Sequence, residues 1–132
     1  MPQNNCRIMI AGLGIDIIEV DRVAEKIGKE AGFRELVFSR YEIEYCEVKA
    51  NKFEHYAARF AAKEAFFKAA GTGWTTGTAY HEIEVRNDDA GKPQLLLLGA
   101  TKESMLARGV ICISLSLSHL KTIASAVVII EK

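Results

Sequence analysis

Hydrophobic and polar positions change rhythm twice along this chain, and the changes outline its elements. Ile8 to Ile18 is apolar and β-branched apart from two glycines and Asp16, which predicts a buried strand. Val20, Val23, Ala24 and Ile27 then recur at i, i+3, i+4 and i+7, the stripe of an amphipathic helix, and Gly28 and Gly32 close it. Phe33 to Phe38 reads as a short helical turn. Ser39 with Glu42 forms an S-x-x-E capping box that opens a helix reaching about Lys49. A long helix follows from about Phe53 to Ala70, with Phe60, Ala61 and Phe67 at roughly helical spacing and Gly71 and Gly73 as its stop.

Beyond Gly73 the period drops towards two. A loop spans Thr75 to Thr78. His81 to Arg86 alternates with Ile83 and Val85 inward, and the turn-rich run 87–93 joins it to Gln94–Leu98 as a hairpin. Thr101 to Arg108 is a short helix closed by Gly109. Val110 to Ser118 alternates strictly: Ile111, Ile113, Leu115 and Leu117 face one way, and Cys112, Ser114, Ser116 and Ser118 the other. The serine face suits either the underside of a helix or a subunit contact. His119–Thr122 links this strand to a last one, Ile123 to Ile130. Helices gathered in the first half and hairpin-linked strands in the second predict an α+β fold with an antiparallel sheet.

Composition narrows the class. The 132 residues suit one domain, 1–132, large enough to bury a core without staples. Seventeen basic and seventeen acidic residues cancel, which argues against a general nucleic-acid or membrane binder. Three scattered cysteines offer neither a zinc motif nor a disulfide framework. The polar lead-in 1–7 does not resemble a signal peptide, and the apolar tail is too short to span a bilayer. A reduced, cytoplasmic protein is expected.

Four groups of residues carry candidate chemistry. Gly12-Leu-Gly-Ile-Asp16 begins like a dinucleotide fingerprint, but Ile17 stands where the third glycine belongs, so that reading is rejected. What remains is Asp16, a carboxylate among apolar neighbours that needs a partner; it is either a cap or turn carboxylate or a metal ligand. Glu64 and Lys68 lie four apart on one helix face. They are either a simple ion pair of about 0.2–0.5 kcal/mol or part of a metal–phosphate site. Magnesium takes one or two carboxylates plus substrate phosphates; Asp16 and Glu64 would be such a pair, and Lys68 would neutralise phosphate charge. His119 ends a strand where loops gather, either as a structural residue or as a phosphate or ribose contact. Arg22, Lys26 and Lys29 form a basic stripe on the first helix, either a solvated face or a dock for an acidic partner.

In this order the groups resemble the holo-acyl-carrier-protein synthase family, the small phosphopantetheinyl transferases, from Ala11 to Glu131. The similarity rests on Gly12-Leu-Gly-Ile-Asp16-Ile-Ile-Glu-Val, Phe38-Ser-x-x-Glu42, Asn87-Asp-x-x-Gly91-Lys-Pro93 and Leu115-Ser-Leu-Ser-His119. Most specific is Arg59-Phe-Ala-Ala-Lys-Glu64-Ala-x-x-Lys68-Ala-x-Gly71-Thr-Gly73. The resemblance implies the 4′-phosphopantetheinyl transferase fold and transfer of 4′-phosphopantetheine from coenzyme A to a serine of an acyl carrier protein, in fatty-acid synthesis. It implies Asp16 and Glu64 as magnesium ligands in catalysis with Lys68. It implies Lys68, Gly71, Gly73, Lys92, Pro93 and His119 at coenzyme A, and Arg22, Lys26 and Lys29 at the carrier. It also implies a homotrimer with active sites between subunits, so that Asp16 and Glu64 are free to come from different chains. Competing expectations are a non-catalytic coenzyme A- or carrier-binding module of the same fold, and a transferase serving polyketide or peptide-synthetase carriers.

Overall fold

The computed structural model describes residues 7–71 and 79–132. Its elements run β1 (Ile10–Glu19), α1 (Val20–Lys29), α2 (Phe33–Val37), α3 (Arg40–Glu47), α4 (Lys52–Ala70), a 3₁₀ turn at Tyr80–Glu82, β2 (Ile83–Asn87), β3 (Pro93–Leu97), α5 (Gly99–Ala107), β4 (Cys112–His119) and β5 (Ile123–Glu131). Among the described residues β1, β5 and β4 form an antiparallel sheet in that order, and β2 and β3 form the expected hairpin. The α+β class is as expected.

Helix α4 is the centre of the molecule. Its alanines at 57, 58, 61, 62, 65, 69 and 70 are all buried, as are Tyr56, Phe60, Phe66 and Phe67. Small side chains let other elements approach from several sides: α4 touches β1, β4 and β5 as well as α1, α3 and β2. The closest approach is to β1. A Cβ on Gly12 would lie 1.9 Å from the Ala69 carbonyl oxygen, and one on Gly14 would lie 1.9 Å from that of Ala65. Both glycines are therefore contact surfaces that let a helix lie directly on a strand.

Strand β1 is not buried on both faces, contrary to the expectation from its unbroken apolar run. Leu13, Ile15 and Ile17 are 66%, 63% and 68% exposed. Alternation gives each strand two faces, and α4 covers only the one carrying Gly12, Gly14 and Asp16. Ser114, Ser116 and Ser118 are exposed, so the serine face does not lie under a helix. Ile111 is also exposed, unlike Ile113, because β4 begins one residue after it.

Two boundaries moved for identifiable reasons. The strand expected from His81 begins at Ile83, after the 3₁₀ turn. Glu82 accepts bonds from the Ala100 and Thr101 backbone N–H groups, so it caps α5 in place of a local residue and the helix starts at Gly99. The Ser39–Glu42 capping box is present, but Glu42 is wholly buried. One of its carboxylate oxygens accepts from Ser39 N and from Lys63 Nζ at 2.8 Å; the other accepts from Val85 N at 2.9 Å. Lys63 also donates to the Tyr80 and Ile83 carbonyls. One ion pair thus ties α3, α4 and β2 together.

Candidate active site

The contact between β1 and α4 sets the geometry. Gly12 meets Ala69 and Gly14 meets Ala65, so strand and helix run in opposite directions. Two strand residues advance about as far as four helical ones, roughly 6–7 Å. The next step sets Asp16 level with the turn that carries Glu64. Lys68 Nζ donates to Asp16 Oδ1 at 3.1 Å and to the Ile15 carbonyl at 3.0 Å. The Tyr80 hydroxyl donates to Glu64 Oε2 at 2.6 Å. Within one chain, Asp16 thus meets Lys68, and Glu64 lies one helical turn before Lys68 on α4.

The donor set fits a hard dication. Asp16 Oδ2 and Glu64 Oε1 make no hydrogen bond among the described residues, while the second oxygen of each carboxylate is held in place. No group of three or more His, Cys, Asp or Glu among the described residues is arranged to hold a metal. Two carboxylates with one open oxygen each are what magnesium uses when phosphates complete its shell.

The remaining candidates lie elsewhere. Gly71 ends α4 in the left-handed conformation, φ 72°, and Gly73 lies outside the described residues. Lys92 and Pro93 leave the hairpin turn and line an open groove of about 310 Å³ between β3 and β4, with Leu95 and Ser114. His119 does not join Glu64 and Lys68. Its Nδ1 lies 3.0 Å from Glu54 Oε1, and Glu54 precedes Glu64 by ten helical residues, about 15 Å along α4. The basic stripe is narrower than its sequence pattern. Lys29 pairs with Glu25 at 3.4 Å and Lys26 lies over the Phe33 ring, whereas Arg22 is exposed and makes no ion pair among the described residues.

The sequence signature described as the 4′-phosphopantetheinyl transferase superfamily matches residues 12–119. The chain belongs to this superfamily. A holo-[acyl-carrier-protein] synthase of Cytophaga hutchinsonii is 46% identical over 126 residues, covering 94% of this chain and 99% of that protein. One from Ruminiclostridium cellulolyticum is 50% identical over 123 residues, covering 90% of each. The crystal structure of the Neisseria meningitidis synthase superposes with a TM-score of 0.86 at 30% identity, over 94% of this chain and 100% of that one. The Bacillus anthracis synthase in complex with CoA (3′,5′-ADP) gives 0.77 at 40% identity, over 93% and 97%.

Within this transferase fold, sequence reasoning overlooked Tyr80, Glu54 and the true role of Lys63. Tyr80 borders a loop and has no periodic partner, so nothing local pointed to Glu64. Glu54 lies in the first turn of α4, and no local spacing links it to His119. Lys63, adjacent to Glu64 in sequence, is buried with Glu42. Burial pulls its pKa below the ordinary lysine value, with Glu42 opposing. Lys68 is largely exposed and available to a ligand.

Proposed function

We propose that this chain transfers the 4′-phosphopantetheine group of coenzyme A to a serine hydroxyl of an apo-acyl carrier protein, releasing adenosine 3′,5′-bisphosphate. The carrying observation is the Asp16–Lys68 contact one helical turn from Glu64, within residues 12–119 that match the superfamily. The serine oxygen attacks the β-phosphorus of the pyrophosphate, and the bond to the bisphosphate leaving group breaks. Asp16 and Glu64 would hold magnesium, and a dication there would supply charge neutralisation at the pyrophosphate. Lys68, fixed by the Ile15 carbonyl and Asp16, places an ammonium where negative charge grows. The serine proton goes either to Glu64, whose Oε2 accepts from the Tyr80 hydroxyl, or to a water held beside it.

In this reading coenzyme A extends from the Gly71–Gly73 turn towards Lys92, Pro93 and His119, and Arg22 leads the carrier-docking surface with Lys26 and Lys29. The working enzyme is a homotrimer in the cytoplasm, serving fatty-acid synthesis. Two observations support shared sites: the bare apolar face of Leu13, Ile15 and Ile17, and the distance along α4 between His119 and Glu64. A neighbouring subunit's His119 then completes a site that one chain leaves open.

The test is to incubate the protein with coenzyme A, magnesium and apo-carrier, and to weigh the carrier. Asp16→Ala and Glu64→Ala each lower turnover by about 100-fold or more, the loss seen when a central electrostatic element is removed. Undiminished transfer in excess chelator would overturn the metal assignment. A monomer mass by light scattering with activity intact would overturn the shared site.

A further inference from the structure

Away from α4's C-terminal half, ionisable side chains also gather at the end of β4. His119 ends β4, and its backbone is fixed by pairing opposite Ala124 of β5. The ring turns its Nδ1 to Glu54 Oε1 at 3.0 Å. Its edge meets the His55 ring, with centroids 5.4 Å apart and planes at 62°. Nε2 makes no hydrogen bond among the described residues. Glu54 and His119 are both half-buried, with side chains 17% and 29% exposed, so their interaction is shielded from bulk water. The titratable groups in contact with the ring are Glu54 and His55 from α4, and Glu54 also borders a cleft that holds Asp21 of α1, Lys52 of α4 and Lys121 of the following link.

The donor arithmetic is decisive. A carboxylate accepts only, so Nδ1 carries a proton when it is bonded to Glu54. A phosphate oxygen on the other side also accepts, so Nε2 must carry a proton too. A histidine held between a carboxylate and a phosphate is an imidazolium. His55, whose pKa burial pulls below the ordinary histidine value, stays neutral and adds no competing positive charge at pH 7.

We propose that Glu54 is a positioning residue that holds His119 as an imidazolium, aimed through Nε2–H at a phosphate group of coenzyme A. This rests on the placement of His119 at coenzyme A given above and adds the residue that makes it a competent anion donor. The negative charge of Glu54 is the operative property, so glutamine does not replace it.

Coenzyme A binding to the intact protein is measured by calorimetry without carrier, for wild type, Glu54→Gln, Glu54→Ala, His119→Asn and the double variant Glu54→Ala/His119→Asn. Glu54→Gln and Glu54→Ala each weaken binding by about 10- to 100-fold, the range seen for outer hydrogen-bond partners of metal-bound histidines. His119→Asn costs at least as much, and the double variant costs no more than His119→Asn alone. Nitrogen-15 spectra of the complex at pH 7.5 show His119 protonated on both nitrogens in wild type and on one in Glu54→Gln. Wild-type binding by Glu54→Gln would overturn the proposal, as would additive losses in the double variant. If His119→Asn binds coenzyme A normally, the placement of His119 itself is wrong and the proposal falls with it. If His119→Asn weakens binding but neither Glu54 variant does, only the role of Glu54 is wrong.

Discussion

Replacing Gly14 with alanine tests whether direct contact between strand and helix builds the site. The new Cβ would lie 1.9 Å from the Ala65 carbonyl oxygen and 2.7 Å from the Ala69 nitrogen, both backbone atoms that cannot rotate away. Relief requires α4 to retreat by about 1.5 Å to restore ordinary van der Waals spacing. Strand β1 yields only by bending the sheet, because Gly14 is paired opposite Val128 of β5. Helix α4 also packs on α1, α3 and β2, and shares a filled core with Val23, Phe38, Cys46 and Val85, so the retreat overpacks that side. Overpacking costs about 1–3 kcal/mol, and rigid backbone on both sides argues for the upper end. For a chain of this size that is a fall in Tm of about 10 °C. The same retreat pulls Lys68 from Asp16, and a displacement near 1 Å at reacting groups costs on the order of 100-fold in turnover. Scanning calorimetry and initial-rate transfer assays on Gly14→Ala measure the two effects. Gly28→Ala is the control: nothing lies within 4 Å of its added methyl, and within a helix the change is stabilising by about 0.5–1 kcal/mol. A Gly14→Ala protein melting within about 2 °C of wild type with full activity would refute the reasoning.

Lys63→Met leaves Glu42 buried and uncompensated, and costs about 3–5 kcal/mol in denaturant unfolding; a loss under about 1 kcal/mol would mean the pair is dispensable. Burial and the nearby Arg59 hold the His55 pKa below its ordinary value, so the unfolded chain binds more protons. The stability this contributes is complete above about pH 6.5 and is lost as pH falls towards the folded pKa. The Tm of His55→Phe therefore falls less than that of wild type between pH 7.5 and 5.5, and parallel curves would count against it. Arg22→Glu raises the KM for the carrier and weakens its salt dependence while leaving coenzyme A affinity unchanged, because exposed rim charges act on encounter; steady-state kinetics at two salt concentrations decide it.

Much of the architecture was legible in local pattern. The stripe at Val20, Val23, Ala24 and Ile27 became α1, and the turn at 87–93 became the hairpin. The motif around Glu64 and Lys68 pointed to the site because helical spacing put both on one face. What could not be read was anything set by long-range contact. Glu42 looked like a surface cap, yet Lys63 and Val85, remote in sequence, enclose it. Gly12 and Gly14 stood in a predicted strand with no role once the dinucleotide fingerprint was rejected, and their close contact with α4 is not encoded in local periodicity. His119 seemed a neighbour of Lys68, and only the register of β4 against β5 and the length of α4 separate them. The exposure of Leu13, Ile15 and Ile17 follows from which face the helix covers, and composition is silent on that choice.

The burial of α4 has a kinetic consequence. Segments open to solvent one at a time only where few contacts hold them, and such openings set hydrogen-exchange rates. Helix α4 touches both sheets and two other helices, so its amides exchange only when the whole fold opens. Glu64 and Lys68 ride on this slowest-exchanging segment. Partial fraying of α2 or of the hairpin leaves their spacing intact, and on heating these two groups separate only when the molecule unfolds as a whole.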